Sequence, residues 1–336
     1  MDLDAMRETA RDLVAPGKGI LAADESTPTI KKRFDRIGVE STEESRRQYR
    51  QLLFTTPELG ENISGVILYD ETIRQTADDG SPFVEVLEKA GVIPGIKVDR
   101  GALPLAMFPQ ETVTEGLDGL RARAADYRDM GARFAKWRAT ITIGEGLPTD
   151  AAILANVHAM ARYAAICQEA DLVPILEPEV LMDGEHHIDL CASASVRTWQ
   201  ALYTQLAEYR VHLPATLLKV NMVLCGDRCP NQAGNKEIAD VTLRSLGANV
   251  PAEVPGVLFL SGGMSEEDAT IRLNEINKTS GYPWELSFSY GRALQQAALK
   301  AWAGDATNVE LAQQAFWHRA RMNGLARSGE YSSDLE

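Results

Sequence analysis

Eight short apolar runs, each separated from the next by an amphipathic helical stretch, leave this chain of 336 residues few folds to adopt. The runs lie at 19–24, 65–69, 93–99, 132–138, 172–177, 215–223, 256–261 and 284–289. Runs that are apolar on both sides of their alternation belong in a buried parallel sheet, not in a half-wet hairpin. Between them the sequence spaces its apolar residues as helices do. An opening helix covers about 3–14, and Ser41-Thr42-Glu43-Glu44 reads as a capping box ahead of a helix holding Tyr49, Leu52 and Leu53. A short helix runs from Ser81-Pro82 to Gly91. The next is expected over about 113–131, with Leu117, Leu120, Tyr127 and Met130 on one face and Gly131 ending it.

Further helices begin near Asp150, around Trp199, at 236–246 and after Ser265, and two more close the chain, the last opened by Thr307-Asn308-Val309-Glu310. With no internal linker and no low-complexity segment, the pattern predicts a single (β/α)8 TIM barrel over residues 1–336, with extra N- and C-terminal helices. A doubly wound sheet is the competing α/β architecture, but no GxGxxG follows any strand.

The net charge of −14 argues against nucleic acid or an anionic membrane as a partner. Cys167, Cys191, Cys225 and Cys229 form no CxxC pair and no disulfide framework, and free thiols are expected. The N-terminus lacks the apolar core of a signal peptide, and no run approaches the length of a membrane span. The expected location is the cytoplasm.

Lys219 stands inside the run Leu217-Leu218-Lys219-Val220-Asn221. Desolvation disfavours an ammonium, and a lysine so placed is a candidate nucleophile toward carbonyls, forming a Schiff base. The alternative is a strand-end lysine that reaches its charge out to water.

A barrel gathers its chemistry at the C-terminal ends of its strands. Asp24 closes the first strand in phase with Ile20 and Ala22; Lys97 and Asp99 share a face, as do Lys136 and Arg138, and Glu177 and Glu179. Rim ion pairs would account for any one of these. The whole set, at the one face where the fold predicts polar clustering, points to a catalytic site.

The loops after the last two strands carry Ser261-Gly262-Gly263 and Ser289-Tyr290-Gly291-Arg292. Glycine lets backbone N–H groups approach an anion, and Arg292 can fork two oxygens. Lys97 with Ser26 and Thr29 offers a second anion site. Two such sites flanking a buried lysine fit a bis-phosphorylated sugar.

These motifs resemble class I fructose-bisphosphate aldolase across nearly the whole chain, in order: Leu21-Ala-Ala-Asp-Glu-Ser26, Gly95-Ile-Lys-Val-Asp99, Phe134-Ala-Lys-Trp-Arg138, Glu177-Pro-Glu179, Leu217-Leu-Lys219, Phe259-Leu-Ser-Gly-Gly263 and Phe288-Ser-Tyr-Gly-Arg-Ala-Leu294. The resemblance implies that Lys219 forms the Schiff base at the C2 ketone and that Asp24 takes the C4 hydroxyl proton. Glu177 would serve as general acid and base, with Glu179 supporting the charge network. Lys136 would depress the pKa of Lys219 and stabilise developing negative charge. Ser261, Gly262, Gly263, Ser289, Gly291 and Arg292 would hold the C1 phosphate, and Ser26, Thr29 and Lys97 the C6 phosphate. Arg33 and Arg138 would line the cleft. No metal and no cofactor is implied, and relatives are commonly homotetramers.

The chain departs from the family's pattern in three places. Val220 follows the nucleophile where proline is usual, and Thr29 replaces a serine while keeping its hydroxyl. The third is the end of the sequence, Glu330-Tyr331-Ser332-Ser333-Asp334-Leu335-Glu336, where animal relatives carry a mobile tail with a terminal tyrosine. Enamine protonation is therefore expected to be slower, or served by another group. Two rival readings stand beside this one. A metal-dependent aldolase has only His186-His187 and Asp189, read as a solvated loop. A non-catalytic sugar-phosphate-binding or scaffolding barrel would be favoured by a missing nucleophile or base, and neither is missing.

Overall fold

The computed structural model describes residues 1–279 and 281–336. Eight parallel strands close into a barrel: β1 (Gly19–Ala22), β2 (Ile63–Leu68), β3 (Ile93–Lys97), β6 (Phe134–Ile141), β7 (Val173–Val180), β8 (Leu217–Val220), β9 (Gly256–Phe259) and β10 (Glu285–Tyr290). Two short strands, β4 (Ala102–Pro104) and β5 (Thr112–Thr114), form a separate antiparallel hairpin between β3 and β6. The barrel order is β1-β10-β9-β8-β7-β6-β3-β2, so every strand lies beside its neighbours in sequence once the hairpin is set aside. Helices connect the strands on the outside, as the right-handed crossover rule requires.

Alternation along the strands divides the buried residues into two sets. One set faces the helices and includes Leu21, Val66, Leu68, Ile96, Trp137, Leu176, Leu218, Val220, Phe259, Phe288 and Tyr290. The other fills the barrel: Ile20, Ala22, Ile67, Phe134, Val173, Ile175, Leu217 and Leu258. This inner set is continuous with Met6, Ala10, Leu13 and Val14, so the first helix, Leu3–Leu13, seals the N-terminal mouth with its apolar face. The phenyl ring of Phe134 occupies the space beside Gly65 and Gly95; a methyl on Gly95 would lie 2.3 Å from Phe134 Cζ. The dry end of the barrel is thus closed by one large ring fitted against glycines. At the other end the same inward parity, carried two residues further, delivers Asp24, Lys136, Glu177 and Lys219.

The structure revises several local expectations. The capping box near Ser41 is shifted by one residue: Thr42 caps the helix Glu43–Phe54 and Ser45 answers it, through Ser45 N to Thr42 Oγ1 at 3.0 Å and Thr42 N to Ser45 Oγ at 2.9 Å. Glu44 is drawn outward to Arg47 instead. The helix expected from 113 begins only at Leu120, because Gly116 (φ +130°) and Gly119 (φ +67°) take left-handed backbone and the preceding residues pair in the hairpin. The fourth and fifth strands run on past Arg138 and Glu177, to Ile141 and Val180, whereas the lysine strand is confined to Leu217–Val220. A helix not foreseen, Thr27–Asp35, follows β1 directly. The Ser265 cap stands as read, accepting from Asp268 N at 3.0 Å. All four cysteines are free and buried. Among the described residues, no helix is long and apolar enough to cross a membrane.

Gly95→Ala should overpack the barrel floor and destabilise the fold by about 1–3 kcal/mol, read as a lower urea midpoint with an unchanged m-value.

Candidate active site

The C-terminal mouth of the barrel opens into a cavity of about 970 Å³, and every candidate catalytic and substrate-binding residue singled out from the sequence lines it. At its centre lysines and carboxylates alternate in a chain. Lys219 Nζ lies 3.1 Å from Glu177 Oε1; Glu177 Oε2 lies 3.1 Å from Lys136 Nζ; and Lys136 Nζ lies 2.6 Å from Asp24 Oδ2. Register explains the contact: β7 and β8 pair Ile175 with Leu217, so two residues on Glu177 comes level with Lys219, and β6 and β7 pair Lys136 with Ile175, one inward step before Glu177. Lys219 is 3 % exposed and Glu177 4 %. The lysine is therefore buried and partnered, and does not reach to water.

Charge spacing fixes the protonation of this chain. Burial works to raise the Asp24 carboxyl, yet Lys136 and then Lys219 hold it well below the usual carboxylate range. Glu177 is likewise lowered against its burial by Lys136, Lys219 and Arg138. Lys136 is raised, because Asp24 and Glu177 outweigh the burial that would lower it. The site holds two carboxylates and a permanent cation at neutral pH.

A second tier fixes the surrounding groups. Asp99, expected only as a neighbour on Lys97's face, is buried and accepts from Lys97 Nζ, from Gly101 N at 3.1 Å and from Arg138 N at 3.1 Å. Glu179 accepts from Arg138 Nε. Asn221 Oδ1 accepts from Val180 N at 2.9 Å and ties the lysine strand's extension to the glutamate strand. Glu25, which the sequence reading passed over, is buried between Arg33 and Arg50, with Arg50 Nη2 at 2.6 Å from its Oε2.

The residues expected to hold the two phosphates all line the cavity. Ser26 Oγ and Thr29 Oγ1 lie 3.1 Å apart at the start of the helix Thr27–Asp35, where Ser26 spends no side-chain bond on capping. Gly262 and Gly263 approach side chains that leave no room for a Cβ: a methyl on Gly263 (φ +77°) would fall 1.6 Å from Met182 Sδ, and one on Gly262 2.9 Å from Glu179 Oε1. Ser289 Oγ is buried without a partner, and Arg292 Nη2 donates to Met264 O at 3.2 Å.

The histidine loop needs correction. His187 is exposed with Nδ1 3.4 Å from Asp189, but His186 is buried with both ring nitrogens unpartnered, and burial lowers its pKa. The loop of residues 226–228 folds over it, with Gly226 N donating to His186 O at 2.8 Å. Tyr331 is also packed in place, its hydroxyl donating to Glu336 Oε1 at 2.8 Å and its N–H to Asn274. Lys32, Arg36, Arg74, Arg100 and Arg123 line the cavity as well and were not singled out. For Lys32 and Arg36 the signal was present: with Thr29 and Arg33 they make an i, i+3, i+4, i+7 stripe, legible once 27–35 is read as a helix.

The charge chain predicts a pH profile for stability. Native Asp24 and Glu177 titrate below their ordinary 3.8 and 4.5, so their contribution is present above those values and fades as pH falls through the lowered ones. Lys136 titrates above its ordinary 10.5, so its contribution is present below that value and is lost only at still higher pH. Their contribution to unfolding free energy should be flat between about pH 5 and 10 and fall steeply below about pH 4. Lys136→Met, which strands buried Asp24 and leaves Glu177 with Lys219 alone, should cost about 3–5 kcal/mol at pH 7 and reduce the penalty for acidification. Urea unfolding at a series of pH values checks both.

The family model Fructose-bisphosphate aldolase class-I matches residues 5–336. The probable fructose-bisphosphate aldolase class 1 of Xanthomonas campestris is 55% identical over 332 residues, covering 98% of this chain and 99% of the relative. The fructose-bisphosphate aldolase of Drosophila melanogaster is 52% identical over 330 residues, covering 98% and 91%. Among solved structures, fructose-bisphosphate aldolase from Plasmodium falciparum, crystallised with TRAP and a small-molecule inhibitor, superposes with a TM-score of 0.97 at 47% identity, covering 98% of this chain and 96% of that one. With its barrel closed, its lysine–carboxylate chain in the mouth and its sequence matched from end to end, this chain belongs to the class I fructose-bisphosphate aldolase family.

Proposed function

We propose that residues 1–336 act as one barrel unit that cleaves fructose 1,6-bisphosphate reversibly through a Schiff base on Lys219. The observation that carries this reading is the unbroken sequence Lys219–Glu177–Lys136–Asp24, each link within 3.1 Å. Lys219 passes a proton to Glu177 and its amine attacks the C2 ketone. The carbinolamine loses its hydroxyl as water, with Glu177 returning the proton, and an iminium remains. Asp24, held ionised by Lys136, takes the C4 hydroxyl proton. The C3–C4 bond breaks, its electron pair flows into the iminium to give an enamine, and glyceraldehyde 3-phosphate departs. C3 regains a proton as Asp24 gives up the one it accepted, directly or through solvent, and hydrolysis of the iminium, again through Glu177, releases dihydroxyacetone phosphate and restores Lys219 and Asp24.

Lys136 stabilises negative charge as it develops on the oxygens, a term that grows in a water-poor site. Glu179 orients Arg138, which lines the cleft with Arg33. Ser261, Gly262, Gly263, Ser289, Gly291 and Arg292 hold the phosphate nearer the ketone, and Ser26, Thr29 and Lys97 the distal one. The protein's own lysine supplies the electron sink, so the reading assigns no cofactor and no metal. Family membership supports a cytoplasmic homo-oligomer, a tetramer, in glycolysis and gluconeogenesis.

Lys219→Met should lower kcat for fructose 1,6-bisphosphate by at least about 10⁴-fold. Asp24→Asn should lower kcat by about 10²–10⁴-fold with little change in KM. Activity should be indifferent to EDTA. A Lys219→Met enzyme that retains wild-type turnover would refute the mechanism.

A further inference from the structure

The helix Thr27–Asp35 runs along one wall of the mouth, and the residues it presents to the cavity follow its own period: Thr29, Lys32, Arg33 and, at its C-cap, Arg36. From Thr29 to Arg36 the stripe extends about 10 Å along the axis. Arg33 Nη2 lies 3.7 Å from where a methyl on Gly291 would stand, and Arg36, three residues further on the same face, lines the same cavity as Ser261, Ser289 and Arg292. Within the stripe only Arg33 is paired, and its partner Glu25 is shared with Arg50. Among the described residues, neither Lys32, Arg36 nor Arg292 has a carboxylate within 4.0 Å. A protein of net charge −14 thus gathers uncompensated cations at one corner of its cavity.

A second observation marks the same corner. The hydroxyl of Ser289 is 99 % shielded from solvent, lines the cavity and has no hydrogen-bond partner in the protein. Arg292, half-buried there, has its pKa lowered by burial and by the charges of Arg33 and Arg36. Like charges held together at this cost are balanced by a dianion placed among them.

We propose that Arg36 is a further substrate-binding residue, a second guanidinium that joins Arg292 on the phosphoryl group lying against Ser261 and Ser289. The assignment rests on the reading given under Proposed function. Arg36 acts at the phosphoryl oxygens and takes no part in proton transfer, so it tunes substrate affinity and leaves turnover alone.

The test compares wild type, Arg36→Ala and Arg36→Lys by calorimetric titration with inorganic phosphate and by steady-state kinetics with fructose 1,6-bisphosphate. Arg36 is exposed, and equal thermal midpoints will confirm that the variants fold. Arg36→Ala should weaken phosphate binding about three- to tenfold, raise KM by a similar factor, hold kcat within about twofold and flatten the ionic-strength dependence of KM. Arg36→Lys should recover part of the loss. Phosphate affinity in Arg36→Ala equal to wild type overturns the assignment, as does weakened phosphate binding with unchanged KM in an active enzyme. Failure of the wild type to cleave the bisphosphate would instead refute the functional reading, while the phosphate titration would still report on Arg36.

Discussion

Side-chain alternation in a closed parallel barrel is the constraint on which everything else here depends. Once eight strands are joined edge to edge, an inward residue has only the barrel's interior to enter. Toward the N-terminal end that interior is filled by Phe134, Ile175, Leu217 and Leu258 and sealed by the first helix. Toward the other end the same parity obliges Asp24, Lys136, Glu177 and Lys219 to meet. The chemistry is the continuation of the core packing by one more step along each strand.

That meeting would be ruinous if any member were alone. An isolated buried ion costs several kcal/mol, and none of these four is isolated. Each carboxylate touches a lysine, and Lys136 touches two carboxylates. The arrangement supports the proposed roles as well as stability. Lys136 stays cationic, Asp24 stays a base, and Glu177 stands between two lysines where a proton can be passed in either direction. Asp99, Asn221 and Glu25 hold the outer members in place by hydrogen bonds to backbone and guanidinium groups.

Most of this was legible before the structure, for a physical reason. Parity along Phe134-Ala135-Lys136-Trp137-Arg138 is a property of extended backbone, so inward and outward faces could be assigned from spacing alone. What escaped was whatever parity does not govern. The hairpin Ala102–Thr114 turns through Met107 and Gln110 in left-handed backbone, and Gly116 and Gly119 beyond it delay the helix to Leu120; apolar spacing carries none of this. The burial of His186 depends on a loop from elsewhere in the chain folding over it. The helix Thr27–Asp35 is short and polar, with Ile30 and Phe34 as its only buried residues, so its cavity-facing stripe gave no apolar signal. Glu25 sits one residue out of phase with Asp24, and its importance comes from Arg50 on a distant helix.

The central claim is that Lys219 carries the substrate covalently. Reduction with borohydride in the presence of dihydroxyacetone phosphate converts an iminium to a stable secondary amine, and peptide mass mapping then locates it. The account predicts one adduct, on Lys219, formed equally with and without EDTA, and none in Lys219→Met. No adduct, or an adduct on Lys136 or Lys97 in its place, would contradict it.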